Sequence, residues 1–331
     1  MRALFAVPFV LILAVGLVAG ESRPTSQSDI QKAVERAKLV RAQKKLVPGV
    51  LQSSALVMKM GEARCGQALL KIENAGGENG AVYKLSGRFK AGMSENGQSA
   101  LIDYTGTFLL AADLTLVSGE LRAASDLLSK SDGKKQAVIS SATLNVKDDT
   151  LFWERSEQKD GKDSPKTAKK IALHGVRPMP KNALLALAAL TMESEKDGWK
   201  PEPKSALCVP VIDLGWEMDS FEVEPAWISF DQPTHMNPKD TAAVMRVRSL
   251  VGEITDKGLE IEPPLPQVWL SVQLWALDGR AHALSHPPPD DPRIKIELAD
   301  PATVNVEGTL DLEQIEKASA NSSAAPKPPK K

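Results

Sequence analysis

Residues 102–110, with the sequence IDYTGTFLL, indicate the fold class of this chain. Apolar and polar side chains alternate along most of this stretch, and a period of two places one row on a buried face and the other in water. Sheets with one buried and one solvated face are typically antiparallel. The apolar row is Ile102, Tyr104, Phe108 and Leu110, and the polar row is Asp103, Thr105 and Thr107. The stretch therefore predicts an antiparallel strand.

The same signal extends in both directions along the chain. Apolar or alternating runs precede and follow residues 102–110, and turn-forming sequences such as 74–80 (NAGGENG) and 131–134 (SDGK) separate them. The runs occupy 54–60, 67–73, 82–89, 138–146, 209–221, 222–230, 242–250, 268–276, 293–298 and 303–310. Short strands joined by tight turns predict a meander of hairpins.

One segment inside this β pattern has a helical signal. Residues 181–192 (KNALLALAALTM) combine strong helix formers with apolar side chains on nearly every side. A helix of that kind is buried, here against the concave face of the sheet. The sequence therefore predicts a mainly β fold, in which an antiparallel meander forms a curved sheet or half-barrel with one buried helix. An N-terminal amphipathic helix is expected in addition.

The β pattern also predicts how the chain is organised. We expect one antiparallel β domain over 51–310 and a disordered Pro/Lys tail over 319–331. Residues 156–170 (SEQKDGKDSPKTAKK) are charged and poor in apolar side chains, which predicts a mobile loop. Two arrangements stay open: one continuous sheet, or two halves at 51–157 and 171–310 joined by this loop.

The first twenty residues have the pattern of a secretory signal. Arg2 is their only charge, residues 3–20 are uncharged and mostly apolar, and the small residues before Glu21 fit a cleavage site. The alternative is an uncleaved anchor, although eighteen residues lie at the short end of what spans a bilayer. We therefore predict an exported protein, periplasmic or secreted.

Residues 21–50 predict a basic leader with a helix. Apolar residues such as Ile30, Val34 and Val40 recur at helical spacing, and the opposite face is rich in Lys and Arg. Such a helix can dock on its own domain, form a partly ordered linker, or lie on an anionic membrane. Membrane contact is thus expected only through an uncleaved signal or this leader.

Composition limits the partners and the redox chemistry. The chain has 41 basic and 42 acidic residues and a net charge of −1, which offers no general attraction to nucleic acid. Its two cysteines are Cys65 and Cys208. In an oxidising compartment they can form a disulfide, and they can equally be small buried side chains.

Motifs for catalysis and cofactor binding are missing from the sequence. It contains no G-x-S-x-G elbow, Walker A loop, H-E-x-x-H or C-x-x-C motif. His282 and His286 are four apart, but three prolines follow at 287–289 and disfavour the helix that a shared metal would need. We predict no catalytic residue, no metal and no cofactor, and lean against an enzyme.

Tryptophans supply the candidate ligand-binding residues. Residues 216–231 (WEMDSFEVEPAWISFD) interleave aromatic and acidic side chains, which in a cleft could stack and cleave a glycan. A hairpin with aromatics facing the core and acids facing water explains the same pattern. The candidates are Trp216, Trp227, Trp269 and Trp275.

Part of the sequence resembles the bacterial lipoprotein-carrier-like envelope superfamily. The similarity lies in residues 58–72 (MKMGEARCGQALLKI), 83–89, 102–116 and the helical segment 181–192. It implies a curved antiparallel sheet partly closed around helices, with an apolar groove that holds a lipid or another apolar ligand. No binding residue carries over, because no position matches a specific motif, and the leader and tail have no counterpart.

These observations favour an exported, non-catalytic β-rich protein. Its expected partner is a lipid or another apolar small molecule, or an envelope protein, and not nucleic acid. The alternatives are an exported glycan-acting enzyme and a two-domain structural or interaction protein.

Overall fold

A computed structural model describes most of residues 52–183, and then 206–214, 218, 221–231, 241–249, 252–261, 267–277, 280–286 and 294–323. Short gaps within the first range fall at 78–79, 96–97, 130–132, 134 and 182. The predicted signal (1–20), the leader (21–50) and nearly all of the predicted helix 181–192 lie outside the described residues.

The first part of the chain forms an antiparallel meander. Its strands are β1 (Gln52–Met60), β2 (Ala63–Asn74), β3 (Tyr83–Glu95), β4 (Gln98–Leu110), β5 (Leu116–Ser129), β6 (Lys135–Lys147), β7 (Thr150–Lys159), β8 (Lys162–Asp163) and β9 (Thr167–Ala172). Each strand from β1 to β7 pairs with the next along the chain, and β9 also pairs with β7. The antiparallel meander predicted from residues 102–110 and their neighbours is confirmed.

A second, smaller sheet follows. Its strands are β10 (Met179–Pro180), β11 (Ala206–Asp213), β12 (Glu222–Asp231), β13 (Thr241–Ser249), β16 (Gln267–Leu277) and β17 (Arg280–His286). Between β13 and β16 lies a hairpin of β14 (Gly252–Thr255) and β15 (Gly258–Ile261). All of these pairings are antiparallel except the short one between β10 and β11.

The chain then returns to the first sheet. Strand β18 (Ile294–Ala299) pairs antiparallel with β1, for example Leu298 opposite Leu56, and completes a sheet of ten strands among the described residues. The helix α1 (Leu312–Ser323) follows it. Asp311 caps this helix, because its Oδ1 accepts hydrogen bonds from the backbone N–H groups of Glu313 and Gln314 at 3.0 and 3.1 Å.

Residues 156–170 are not the loop that their charge predicts. Strand β7 continues to Lys159, and β8 and β9 pair back onto it. The reversal occurs at Asp160 and Gly161, which both have positive φ angles, of 50° and 77°. An edge hairpin needs few apolar residues, and charged side chains protect its unpaired edge from further strand pairing. Charge alone therefore did not distinguish an edge strand from a loop.

Two further expectations near the C-terminus change. The predicted disordered tail begins too early, because α1 continues to Ser323. The predicted strand at 303–310 is instead a series of turns, in which Asn305 Oδ1 accepts from the backbone N–H groups of Glu307 and Gly308. Val304 and Val306 are nevertheless buried beside β1, which explains why this segment has the apolar alternation of a strand.

The two sheets share one buried cluster. It takes Leu85, Leu144 and Trp153 from the larger sheet and Val211 and other residues from the smaller one. The Trp153 ring stacks on that of Phe221, which precedes β12, with 5.3 Å between centroids and 7° between planes. This shared cluster counts against an arrangement with two separate cores.

The C-terminal segment covers the opposite face of the larger sheet. Gln67 Nε2 donates to the backbone oxygen of Asn305 at 2.8 Å, and Lys90 Nζ donates to that of Gly308 at 3.0 Å. Ile315 of α1 is fully buried and packs with Met60 of β1. We call this covered side the outer face, and the side that meets the smaller sheet the inner face.

A cluster of charged side chains lies on the outer face, beneath the C-terminal segment. Arg88 donates to both carboxylate oxygens of Asp103, at 3.1 and 2.8 Å, and also pairs with Glu307. Burial by itself would raise the pKa of Asp103, but the hydrogen bonds and charge of Arg88, with a contribution from Lys90, lower it overall. Asp103 is therefore held in its charged form in the folded protein.

Candidate functional site: the inner face of the larger sheet

Strand register defines which side chains share the inner face. Residues directly opposite each other in neighbouring strands project to the same side of a sheet. One row across β7 to β2 is Trp153, Leu144, Gly119, Phe108, Leu85 and Ile72. All six residues are buried, and the shared cluster of the two sheets includes the five with larger side chains. This row is the closed end of the inner face.

The next row combines two glycines, an alanine and two leucines with one arginine. It consists of Arg155, Ala142, Leu121, Gly106, Gly87 and Leu70. Gly106 and Gly87 lie opposite each other, and the rings of Tyr104 and Phe108 reach within 3.5–3.6 Å of the position that a Cβ on Gly106 would take. Glycine inside strands favours strong local bending, so this row is where the inner face can curve.

Beyond the glycines the apolar side chains become half-buried. The following two rows contain Phe89, Tyr104, Ala123 and Ser140, and then Ile102, Ser125 and Val138. Ser140 is buried, whereas the others keep part of their surface exposed. We call these others the half-buried patch: Phe89, Ile102, Tyr104, Ala123, Ser125 and Val138. Burial thus decreases from Phe108 to Ile102 along β4, whereas Ala91 of β3, opposite Ile102, is buried.

A polar cluster borders this patch. Arg155 Nη2 donates to Glu157 Oε2 at 2.5 Å and to Ser140 Oγ at 3.4 Å. The side chains of Arg155 and Glu157 are 18% and 30% exposed, so the ion pair is only partly screened by water. Ser140 lies opposite Glu157 in the register of β6 and β7, and Arg155 lies diagonally across from it. The register of these two strands therefore assembles the cluster.

Three buried polar atoms on this face have no hydrogen-bond partner in the part of the chain that the structure describes. They are Arg155 Nε, Trp153 Nε1 and Tyr83 Oη. Leaving a buried donor unpaired costs about 1–3 kcal/mol, so such atoms call for a structural or functional reason. Burial also raises the pKa of Tyr83, which keeps its hydroxyl protonated and able to donate.

Three of the four predicted tryptophans belong to strands of the smaller sheet. In β12, Trp227 is opposite Cys208 of β11, and in β16, Trp275 is opposite His282 of β17. Trp269 falls in β16 where the register with β13 shifts. Trp216 and the side chains of the other three lie outside the described residues. Their role in ligand binding stays a prediction.

The cysteine pairing also stays a prediction. Cys65 is buried in β2, in the same cluster as Ala63 and Ile315. Cys208 is in β11, and its side chain lies outside the described residues. The two residues thus come from different sheets.

Sequence reasoning missed the polar cluster for a specific reason. It placed residues 156–170 in a loop, and that boundary separated Glu157 from Arg155. A usable signal was the alternation Leu151, Trp153, Arg155, Glu157, which continues the inner-face pattern of β7 into charged residues.

Neither a metal site nor a membrane-spanning helix is found within the described ranges. No group of three His, Cys, Asp or Glu residues there could hold a metal ion. The helical segments among the same residues are too short or too polar to cross a membrane. The chemistry that the described part of the inner face offers is apolar contact together with hydrogen-bond donation.

Among solved structures, the chain is similar to the crystal structure of a β-barrel-like protein of a domain of unknown function, DUF1849, from Brucella abortus. The two chains are 12% identical with a TM-score of 0.40, over 76% of this chain and 97% of that chain. No protein-family model and no curated protein matches this chain. Function therefore has to follow from the geometry of the inner face.

Proposed function

We propose that this protein is an exported, non-catalytic binding protein for an apolar ligand such as a lipid, and that the ligand lies on the inner face of the larger sheet. The observation that carries the proposal is the half-buried patch. Phe89, Ile102 and Tyr104 continue a row of core side chains, yet they keep part of their apolar surface exposed.

Energetics favour a ligand on this surface. Covering apolar surface contributes roughly 25 cal/mol per Å², so a ligand that covers even 150–200 Å² gains about 4–5 kcal/mol. Binding sites for small molecules are mostly apolar and contain a few placed polar groups. The half-buried patch and the adjoining Arg155 cluster have this composition.

Two features of the sequence support the same proposal. The pattern of residues 1–20 favours export, which would bring the protein among envelope lipids. The resemblance of residues 58–72 and 102–116 to lipoprotein-carrier-like proteins implies an apolar groove.

Native mass spectrometry of the protein purified from its own cell envelope tests the proposal. We expect a bound small molecule that organic solvent extracts. The variant Ile102→Asp introduces a charge into the half-buried patch and should lose that mass, because burying a carboxylate against an apolar ligand is costly. The control Thr143→Asp lies on the opposite face of β6 at an exposed position and should keep it.

Two results would contradict the proposal. One is wild-type protein that carries no small molecule and binds no apolar dye. The other is a stoichiometric protein partner in place of the small molecule, which would favour the envelope-partner interpretation. Far-UV circular dichroism of both variants must match wild type, so that loss of the mass is not caused by unfolding.

A further inference from the structure

We propose that the ligand presents a neutral hydrogen-bond acceptor, of the kind found in the ester carbonyl of an acylated lipid, to the guanidinium of Arg155. This inference rests on the proposed function and adds the chemistry of the ligand. It starts from the two unpartnered N–H groups on β7, Arg155 Nε and Trp153 Nε1.

Both of these groups can only donate. Arginine stays protonated at any physiological pH and has five N–H donors, and the indole nitrogen carries one N–H with no acceptor capacity. Arg155 uses Nη2 on Ser140 and Glu157, which leaves its Nε–H without a partner among the described residues. A ligand that satisfies this site must therefore bring an acceptor.

The charge balance favours a neutral acceptor. Glu157 Oε2 lies 2.5 Å from Arg155 Nη2 and already compensates its charge. A carboxylate ligand would add a second negative charge to this partly buried pair, which is unfavourable. An ester carbonyl accepts a hydrogen bond without that penalty, so it suits the site better.

Other charged side chains near β7 do not reverse this balance. Lys169, opposite Trp153, has its Nζ 5.9 Å from the centre of the indole ring and is exposed. Lys159 lies two residues beyond Glu157 on the same face and is exposed as well. Water and salt screen charges at such positions. The electrostatic potential around Arg155 Nε therefore comes mainly from the guanidinium of Arg155 and the carboxylate of Glu157.

The half-buried patch provides the apolar part of the site. The row that starts at Glu157 and Ser140 on β7 and β6 continues through Ala123 and Tyr104 to Phe89 on β3. At about 4.8 Å between neighbouring strands, these five strands span on the order of 19 Å. An acyl chain can therefore extend across the patch while its ester lies at Arg155.

Competition against a neutral apolar dye tests this assignment. Wild-type protein with bound Nile red is titrated at pH 8 with methyl decanoate, decanoate and decane, which share a chain and differ in the head group. A hydrogen bond to a charged donor is worth about 1.5 kcal/mol or more, so methyl decanoate should compete about tenfold better than decane. It should also compete better than decanoate.

Two variants separate the hydrogen bond from the charge. Arg155→Lys keeps the positive charge next to Glu157 but replaces the guanidinium fork by a single ammonium, which cannot donate from separate nitrogens to Glu157 and to the ligand. The advantage of methyl decanoate over decane should therefore fall. Glu157→Gln leaves Arg155 uncompensated and should shift the preference toward decanoate. The control Arg122→Lys is an exposed change on the outer face of β5 and should behave as wild type.

The outcomes distinguish this inference from the proposed function. Stronger competition by decanoate than by the ester in wild type, or an unchanged ester preference in both Arg155→Lys and Glu157→Gln, would overturn the neutral-acceptor assignment. Either result would leave binding of an apolar ligand intact. Failure of wild type to bind Nile red, or of all three compounds to displace it, would instead refute the proposed function.

Discussion

Replacing Phe221 with leucine tests whether the two sheets are stabilised as one unit. Phe221 and Trp153 are 5% and 2% exposed, and their rings stack at 5.3 Å. Leucine keeps the site apolar but fills it less well, at a cost of about 1 kcal/mol. Loss of the ring contact adds roughly another 1 kcal/mol. We therefore expect Phe221→Leu to lower the free energy of unfolding by about 2 kcal/mol.

Urea denaturation followed by far-UV circular dichroism measures this effect. Wild type, Phe221→Leu, Trp153→Leu and the double variant form a cycle that isolates the energy of the contact. We expect a single transition for wild type and a coupling energy of about 0.5–1.5 kcal/mol between the two positions. The control Phe152→Leu changes a side chain that is 43% exposed, and should have little effect.

The reasoning would be refuted by two kinds of result. A coupling energy indistinguishable from zero, below about 0.3 kcal/mol, would mean that the ring contact contributes nothing. Two separated transitions, only one of which moves in Phe221→Leu, would mean that the sheets unfold independently despite their shared cluster.

Two further changes concern the outer face. Gly92→Val should loosen α1, because a Cβ at residue 92 would lie 2.8 Å from Ile315 Cδ1. The backbone amides of α1 should then exchange their hydrogens faster, and unchanged exchange would contradict this packing. Asp103→Asn should lower the free energy of unfolding at neutral pH, since Arg88 loses the more buried of its two carboxylate partners, Asp103 and Glu307. The pKa of Asp103 is lower in the folded protein than in the unfolded chain, where it is about 3.9. The extra stability of wild type over Asp103→Asn should therefore be complete above the unfolded-state pKa and disappear as pH falls through the folded-state pKa. The midpoints of urea denaturation of both proteins, measured between pH 2 and 7, check this. A stability difference that does not change with pH would exclude the ion pair as its source.

Local sequence patterns predicted strands β1 to β4, β6 and β18 of the larger sheet, whereas no predicted run covered β5 or β7. In β6, Ala142 and Leu144 are buried and Thr143 and Asn145 are exposed, as the period of two predicts. The pattern worked there because one face meets the core and the other meets water. It failed at β8 and β9, which lie at a sheet edge where charged residues are favourable on both faces.

The candidate site depends on contacts that local patterns do not specify. Arg155 meets Ser140 only because β6 and β7 pair in one register, with Ser140 opposite Glu157. A shift by a single residue would move Ser140 to the other face. Residue types and periods are local properties, whereas register follows from the turn geometry and packing of the whole sheet. The site therefore became visible only with the structure.

The pairing of β18 with β1 has a consequence for biosynthesis. Leu56 and Leu298 are neighbours in the sheet although most of the chain separates them. Contacts of such long range form slowly, because closing the long connecting loop costs conformational entropy before the contacts stabilise it. Until the ribosome has released nearly the whole polypeptide, the free edge of β1 can pair with other chains. A nascent molecule would therefore benefit from a chaperone that shields this edge until β18 pairs with it.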